Sequence, residues 1–510
     1  MKTGRNCLLG LALLIVTNVF GQKQEVHILA VNDVHATIDA FPKLAAIADS
    51  LRALYPSLLV FSAGDNRTGN PVNDMYELSS YPMVSLMNLV GFNATALGNH
   101  DFDVKSLAPL MGYSNFSYIC ANMFPSPETG LHIRPTQVFD VDGIKVGVIG
   151  VIQLNTMGRP DTHPENVEGI RFTQAENVIG QYKKFSKDCD VTILLSHIGY
   201  QDDIKIAEHF PWLDLIIGGH THTQLTADEP LHNGVLITQN KNRLPMCTHI
   251  TLTVEKGKVI DKKAEYINVK KFPHQNKLVA TIVDLFNDDP FFKRVVAFAE
   301  APFKIKDQMT YMLCDALLTE GEGEVCIMNN GGTRIDSLSA GDITVHDILA
   351  MDPFYNDAVA ATVTGEDILN IITTYSRGSL YHLPRVGGIL CEAVIDKDDP
   401  DKNRLKSIQL KTLDGKEFDL NKTYKLVTSS YMASVCKQYF NSTTHSLNML
   451  TSDLLTQFLE KKGVVNYEGV NRLKVTEDLY QPSLSWLHQT GSPRNGQPSV
   501  LVSSTLQHQQ

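Results

Sequence analysis

Cysteine is sparse and unpatterned in this chain: 8 in 510 residues, none spaced as Cys-x-x-Cys. That excludes a thiolate metal centre built on paired cysteines. Positive charge is also short. Lys and Arg number 45 against 56 Asp and Glu, for a formal net charge of -11, so the chain is not suited to a nucleic-acid polymer, whose binding rests on neutralising phosphates. A small phosphorylated partner stays possible, because local cations or metals can outweigh the global field. Long apolar runs are missing beyond the start, and no internal repeat is visible. No membrane span is expected once the start is removed.

That start reads as a secretory signal over residues 1–22. Lys2 and Arg5 precede an apolar run from Cys7 to Val16, and small residues approach Gly21. An exported protein, periplasmic or extracellular, is expected. Removing Cys7 with the signal leaves an odd number of cysteines, so at least one thiol stays unpaired within the chain. Val500 to Val502 are too short an apolar patch for a lipid-anchor signal.

What is present is a globular composition, 43% hydrophobic and 20% charged, in a chain too long for one core. From Val26 to about Tyr266 one theme recurs: a β-branched apolar run ends in a short polar cluster, and an amphipathic segment follows. Val26–Val31 leads into Asn32-Asp33-Val34-His35, and Leu58–Phe61 into Gly64-Asp65-Asn66. Ala94–Leu97 leads into Gly98-Asn99-His100-Asp101, Val191–Leu195 into Ser196-His197, and Leu215–Ile217 into Gly218-Gly219-His220-Thr221-His222. Runs of this kind are strands buried on both faces, and the segments between them imply an α/β fold of sheets flanked by helices. Ligands of such sheets bind at the strands' carboxyl ends. Each of these ends delivers Asp, Asn or His there.

Such a set suits two divalent cations, which activate water and grip a phosphoryl oxygen. Imidazole with carboxylate selects Zn, Mn, Fe or Co over Ca. The candidates are Asp33, His35, Asp65, Asn99, His197, His220 and His222. The His-x-His spacing sends both rings to one side of an extended segment.

The ordered motifs Asp-x-His, Gly-Asp-Asn, Gly-Asn-His-Asp, His and Gly-His-Thr-His resemble those of the calcineurin-like metallophosphoesterases. The resemblance implies that Asp33, His35 and His222 hold one metal, that Asn99, His197 and His220 hold the other, and that Asp65 bridges them. It also implies that His100 contacts the phosphate, Asp103 orients His100, and a water rather than a side chain attacks. Five Asn-x-Ser/Thr sequons, at Asn66, Asn93, Asn115, Asn421 and Asn441, read as accidental, since Asn66 adjoins Asp65.

In the second half, Asn329-Asn330-Gly331-Gly332-Thr333-Arg334, Gly341-Asp342-Ile343-Thr344 and Asp352-Pro353-Phe354-Tyr355-Asn356 resemble the C-terminal domain of 5'-nucleotidases. The resemblance makes Arg334 and Arg377 substrate contacts and implies a base held between two rings. Tyr355 stands where that family has glycine. The family's Gly-Gly-Asp-Gly-aromatic loop is replaced by Tyr431–Tyr439, with Tyr439 in register with the aromatic. The second ring's place falls near Leu383, with Tyr381 two residues away.

The expected organisation is a metallophosphoesterase domain over 23–270, a linker helix over 271–300, an α+β substrate domain over 301–480 and a disordered tail over 481–510. A cleft and rotation between the domains are implied. The expected reaction is hydrolysis of phosphate esters, foremost nucleoside 5'-monophosphates. Nucleotide diphosphate sugars, cyclic nucleotides and thiol-sulfate esters are alternative substrates, and a binding protein on a dead phosphatase is the non-enzymatic one.

Overall fold

The computed structural model describes residues 23–478. The signal expected over 1–22 and the tail expected over 481–510 lie outside the described residues.

The first half is two sheets packed face to face. One holds six strands in the order Lys258–Asn268, Met246–Glu255, Gln24–Val31, Leu59–Ser62, Ala94–Ala96 and Ser117–Ile119. The other holds five, in the order Leu236–Thr238, Leu215–Gly218, Val191–His197, Ile144–Ile152 and Thr136–Val141. The strands carrying the polar clusters pair in parallel within each sheet. Alternate residues of both sheets, among them Val26, Ile28, Phe61, Val148, Ile193 and Leu195, share one buried core. The opposite faces are covered by helices, which is why the strands read as unbroken apolar runs. Phe41–Leu54, Tyr81–Val90 and Lys277–Asn287 cover one side, and Tyr200–His209 the other.

The segment around Lys256-Gly257 is a hairpin turn between two long strands, Met246–Glu255 and Lys258–Asn268. The helix expected over 271–300 is shorter. It spans Lys277–Asn287, starts where the Asn276 side chain accepts from the Val279 N–H, and packs Val279 and Val283 into the first-half core. Pro290 has no N–H to continue it. Residues 295–299, read as helix, form a strand, as β-branched Val295-Val296 favours. The crossing between the halves is therefore a short turn near Asp289–Lys293.

The second half is α+β. A five-stranded sheet orders Arg385–Gly387, Val325–Met328, Thr423–Ser429, Asp357–Thr364 and His445–Leu450. The helix Lys306–Glu320 packs on one face of it and Gly365–Ser376 on the other. All seven cysteines of the described residues are free, and all but Cys189 are buried. No described helix is long and apolar enough to cross a membrane.

Candidate metal centre

Four of the ligand clusters lie just past the end of a strand, where the chain must turn sharply, while His197 is the last residue of its strand. Asp33, His35, Asp65, His220 and His222 all turn through the left-handed region, with φ of 48°, 46°, 52°, 77° and 55°. Among residues with a Cβ, Asn, Asp and His are the ones enriched there. Each such residue costs on the order of 1–3 kcal/mol, a strain that persists only when the surroundings over-determine it. Here they do. Asp33 N–H donates to Gly64 O at 3.0 Å, His35 N–H to Asp65 O at 3.0 Å, and Arg243 N–H to Asp33 O at 2.8 Å. Gly98 is obligatory for another reason: a Cβ on it would lie 2.1 Å from Asp65 Oδ1.

Both sheets contribute. Asp33, His35, Asp65 and Asn99 come from one, and His197, His220 and His222 from the other. Two carboxylate–imidazole groups result, Asp33 with His35 and His222, and Asp33 with Asp65 and His197. Asp65 Oδ2 lies 3.1 Å from His197 Nε2 and 3.9 Å from His35 Nε2. His222 Nε2 is 3.3 Å from both Asp33 Oδ1 and His35 Nε2. Asn99 Oδ1 is 3.1 Å from His220 Nδ1. All seven sequence candidates thus converge, and five of them are buried.

Backbone carbonyls fix the tautomers. His197 Nδ1 faces Ala63 O at 2.7 Å and His35 Nδ1 faces Thr68 O at 3.2 Å. A carbonyl only accepts, so each Nδ1 carries a hydrogen and Nε2 is the nitrogen turned inward. Burial, then the Arg334 guanidinium, hold His35 well below the ordinary histidine range. Burial, then His197, bring His220 down to about 4. Both rings stay neutral, as metal ligands must. Burial opposes charge on Asp65 and on His197, yet attraction wins at each: Asp65 is held well below the carboxylate range, chiefly by His197. His197 is carried to about 10, chiefly by Asp65. His197 Nε2 is buried without a hydrogen-bond partner, 3.1 Å from Asp65 Oδ2 and 3.9 Å from Asp33 Oδ1. An orphaned imidazole nitrogen between two carboxylates fits a cation.

A cleft of about 700 Å³ opens from this centre between the two halves. His100 lines it, with its Nδ1 held by Asp103 Oδ2 at 2.8 Å. The His100 N–H donates to Asp65 Oδ1 at 2.9 Å. From the second half Arg334 reaches over, its Nη2 3.1 Å from both ring nitrogens of His35. Arg377 also lines the cleft and meets Asp161 Oδ1 at 3.6 Å. Tyr439 does not line it. Its hydroxyl is 2.9 Å from Thr374 Oγ1 and its ring packs on the second-half core. Leu383 is core as well, wholly buried. The segment before Tyr439 winds into a helix, Ser430–Val435, which brings Tyr431 to the cleft instead, beside Tyr375 and the exposed Tyr381.

Sequence reasoning missed Asp161, whose carbonyl accepts from Asn99 Nδ2 at 3.3 Å, and Arg243, whose Nη2 donates to Arg334 O at 2.7 Å. Neither lies in a motif. Phe354, 5.9 Å from the His100 ring, lay within the Asp-Pro-Phe segment and could have been read there.

The geometry has counterparts. The calcineurin-like phosphoesterase model matches residues 26–224 and that of the 5'-nucleotidase C-terminal domain matches residues 295–443. A 5'-nucleotidase of Vibrio cholerae is 25% identical over 492 residues, which cover 82% of this chain and 84% of that protein. The crystal structure of a 5'-nucleotidase precursor from Thermus thermophilus is similar with a TM-score of 0.78 at 21% identity, covering 89% of this chain and 99% of that one. A sulfate thiohydrolase, SoxB, of Thermus thermophilus shares the fold at a TM-score of 0.72 and 18% identity, over 86% of this chain and 84% of its own. A calcineurin-like phosphoesterase domain followed by a 5'-nucleotidase C-terminal domain makes this chain a metallophosphoesterase of the 5'-nucleotidase family.

Proposed function

We propose that the protein is exported and hydrolyses nucleoside 5'-monophosphates to nucleoside and phosphate, using two divalent cations of the Zn, Mn, Fe or Co type. The observation that carries the reading is the position of Asp65 Oδ2, between the inward nitrogens of His197 and His35. One oxygen so placed suits a bridge between two sites. Asp33, His35 and His222 would complete one, and Asn99, His197 and His220 the other.

When bound, the cations supply water activation and charge neutralisation at the phosphoryl group. The chain's residues do the rest. Asp103 fixes the imidazole of His100 through Nδ1, leaving Nε2 for the cleft, where it can stabilise phosphoryl charge or protonate the leaving oxygen. The His100 N–H pins the outer oxygen of Asp65 so that the inner one turns toward His197 and His35. Arg334 can grip phosphate oxygens with its planar fork. Arg377 and Tyr431 line the cleft and are the candidates for the nucleoside, in place of Tyr439.

The test is phosphate release from AMP, UDP-glucose, cyclic AMP and an aryl phosphate by protein reconstituted with Mn or Zn, alongside elemental analysis. AMP should be turned over best, with two metals per chain. No release from any substrate, or well under one metal per chain, would overturn the proposal. Export is read separately, from the N-terminus of protein recovered outside the cytoplasm, expected near Gln22.

Arg334→Ala should raise KM for AMP some 10- to 100-fold, the range expected for losing a charge-assisted contact of about 1.5–3 kcal/mol. Because Arg334 sits against His35, metal content is measured on the same sample. An unchanged KM would remove Arg334 from the substrate site.

A further inference from the structure

The cleft wall around Arg334 carries more positive charge than its carboxylates balance. Lys306, the first residue of the helix Lys306–Glu320, lines the cleft. Its ammonium forms no salt bridge or hydrogen bond among the described residues, although it is only partly exposed. Arg334 lines the same wall without a carboxylate partner, and its Nε is buried with nothing to donate to. Arg243 adds a third cation, donating to Arg334 O. Of the acids nearby, Asp307 is taken by Arg385 at 2.8 Å and Asp74 acts on Arg243, which leaves Asp336 as the remaining acid facing Lys306.

The field shows in the titration of these groups. Burial, then Arg334, lower Lys306 to about 8, and the same two causes lower Arg243 to about 10. Like charges crowded in a partly dry wall repel one another. In a chain with net charge -11 there is no shortage of acids that could have been placed there. A perturbed lysine lining a cleft is a candidate for a binding role.

We propose that Lys306, on the same cleft wall as Arg334, forms a second anion subsite, which takes a negatively charged group on the leaving-group side of the scissile phosphate, such as the inner phosphate of a nucleoside diphosphate. This rests on the phosphoesterase reading of the metal centre. Arg334 reaches the metal-centre end of the wall at His35, so its fork serves the scissile phosphoryl group. Lys306 is a point charge suited to the next anion along the ester. Chain position alone did not mark it, since a lysine opening a helix ordinarily stays in solvent.

The test compares AMP and ADP as substrates of the metal-loaded wild type, Lys306→Met and Lys306→Arg. The ratio of kcat/KM for ADP to that for AMP should fall about tenfold in Lys306→Met, through KM rather than kcat, and stay near the wild-type value in Lys306→Arg. A ratio within twofold of wild type in Lys306→Met would overturn the subsite. Calorimetric binding of AMP and of the non-hydrolysable methylene-bridged analogue of ADP reads the same subsite without turnover. Lys306→Met should weaken the analogue about tenfold more than AMP, and equal weakening of the two would overturn the proposal. If no nucleotide is hydrolysed while that binding difference holds, the subsite stands and the phosphoesterase reading falls.

Discussion

Asp65→Asn is expected to lower kcat/KM by about a thousandfold or more, the scale on which two-metal centres and preorganised charge contribute to phosphoryl transfer. The substitution keeps the shape of the side chain and removes its charge. Asp65 is 2% exposed and its carboxylate sits among His197, His35 and the His100 N–H. An amide cannot supply the charge that two cations would share, and an NH2 turned to the His100 N–H would set donor against donor. Elemental analysis should therefore show the loss of at least one metal per chain alongside the loss of turnover. Full metal content with turnover inside a factor of ten of wild type would remove Asp65 from the bridging role.

His100→Asn should lower kcat by about 10²–10⁴-fold, the usual yield of a positioned general acid or base, with metal content preserved. The leaving group separates its two possible roles. If His100 protonates the leaving oxygen, the loss with AMP will far exceed the loss with p-nitrophenyl phosphate, whose phenolate departs unaided. If it only stabilises phosphoryl charge, both substrates will lose alike. Asp103→Asn acts through His100 and should cost less, about tenfold, because the imidazole loses the partner that holds Nδ1 at 2.8 Å. A kcat for His100→Asn within threefold of wild type would eliminate the residue from the chemistry.

The candidate metal centre was legible before any fold was known because each of its residues lies at or just past the end of a buried strand, and a strand's carboxyl end is a fixed address in an α/β sheet. Sequence alone did not say that the addresses lie on two facing sheets; only the shared core of Val26, Phe61, Val148 and Ile193 brings them together. Arg334 was legible for a similar reason, since a Gly-rich turn presents it. Tyr439 was not, because counting along the chain assumes an unchanged loop, whereas the helix Ser430–Val435 takes up the intervening residues and hands the cleft to Tyr431. Asp161, Arg243 and Lys306 have no motif at all. They reach the cleft through packing between distant segments, which local pattern does not encode. The overlong linker helix had a plainer cause: an apolar stripe at helical spacing was followed through Pro290 into a β-branched strand.

Because the ligand candidates divide between the two sheets of the first half, cation loading fastens one layer of the sandwich to the other. Anything that binds the native state alone adds RT ln(1 + [L]/Kd), about 4 kcal/mol per ion at a thousand times Kd. The chelated protein would then keep its secondary structure while the layers lose a shared anchor at their carboxyl edge. Availability of cations would then set how long the enzyme survives, as well as how fast it works.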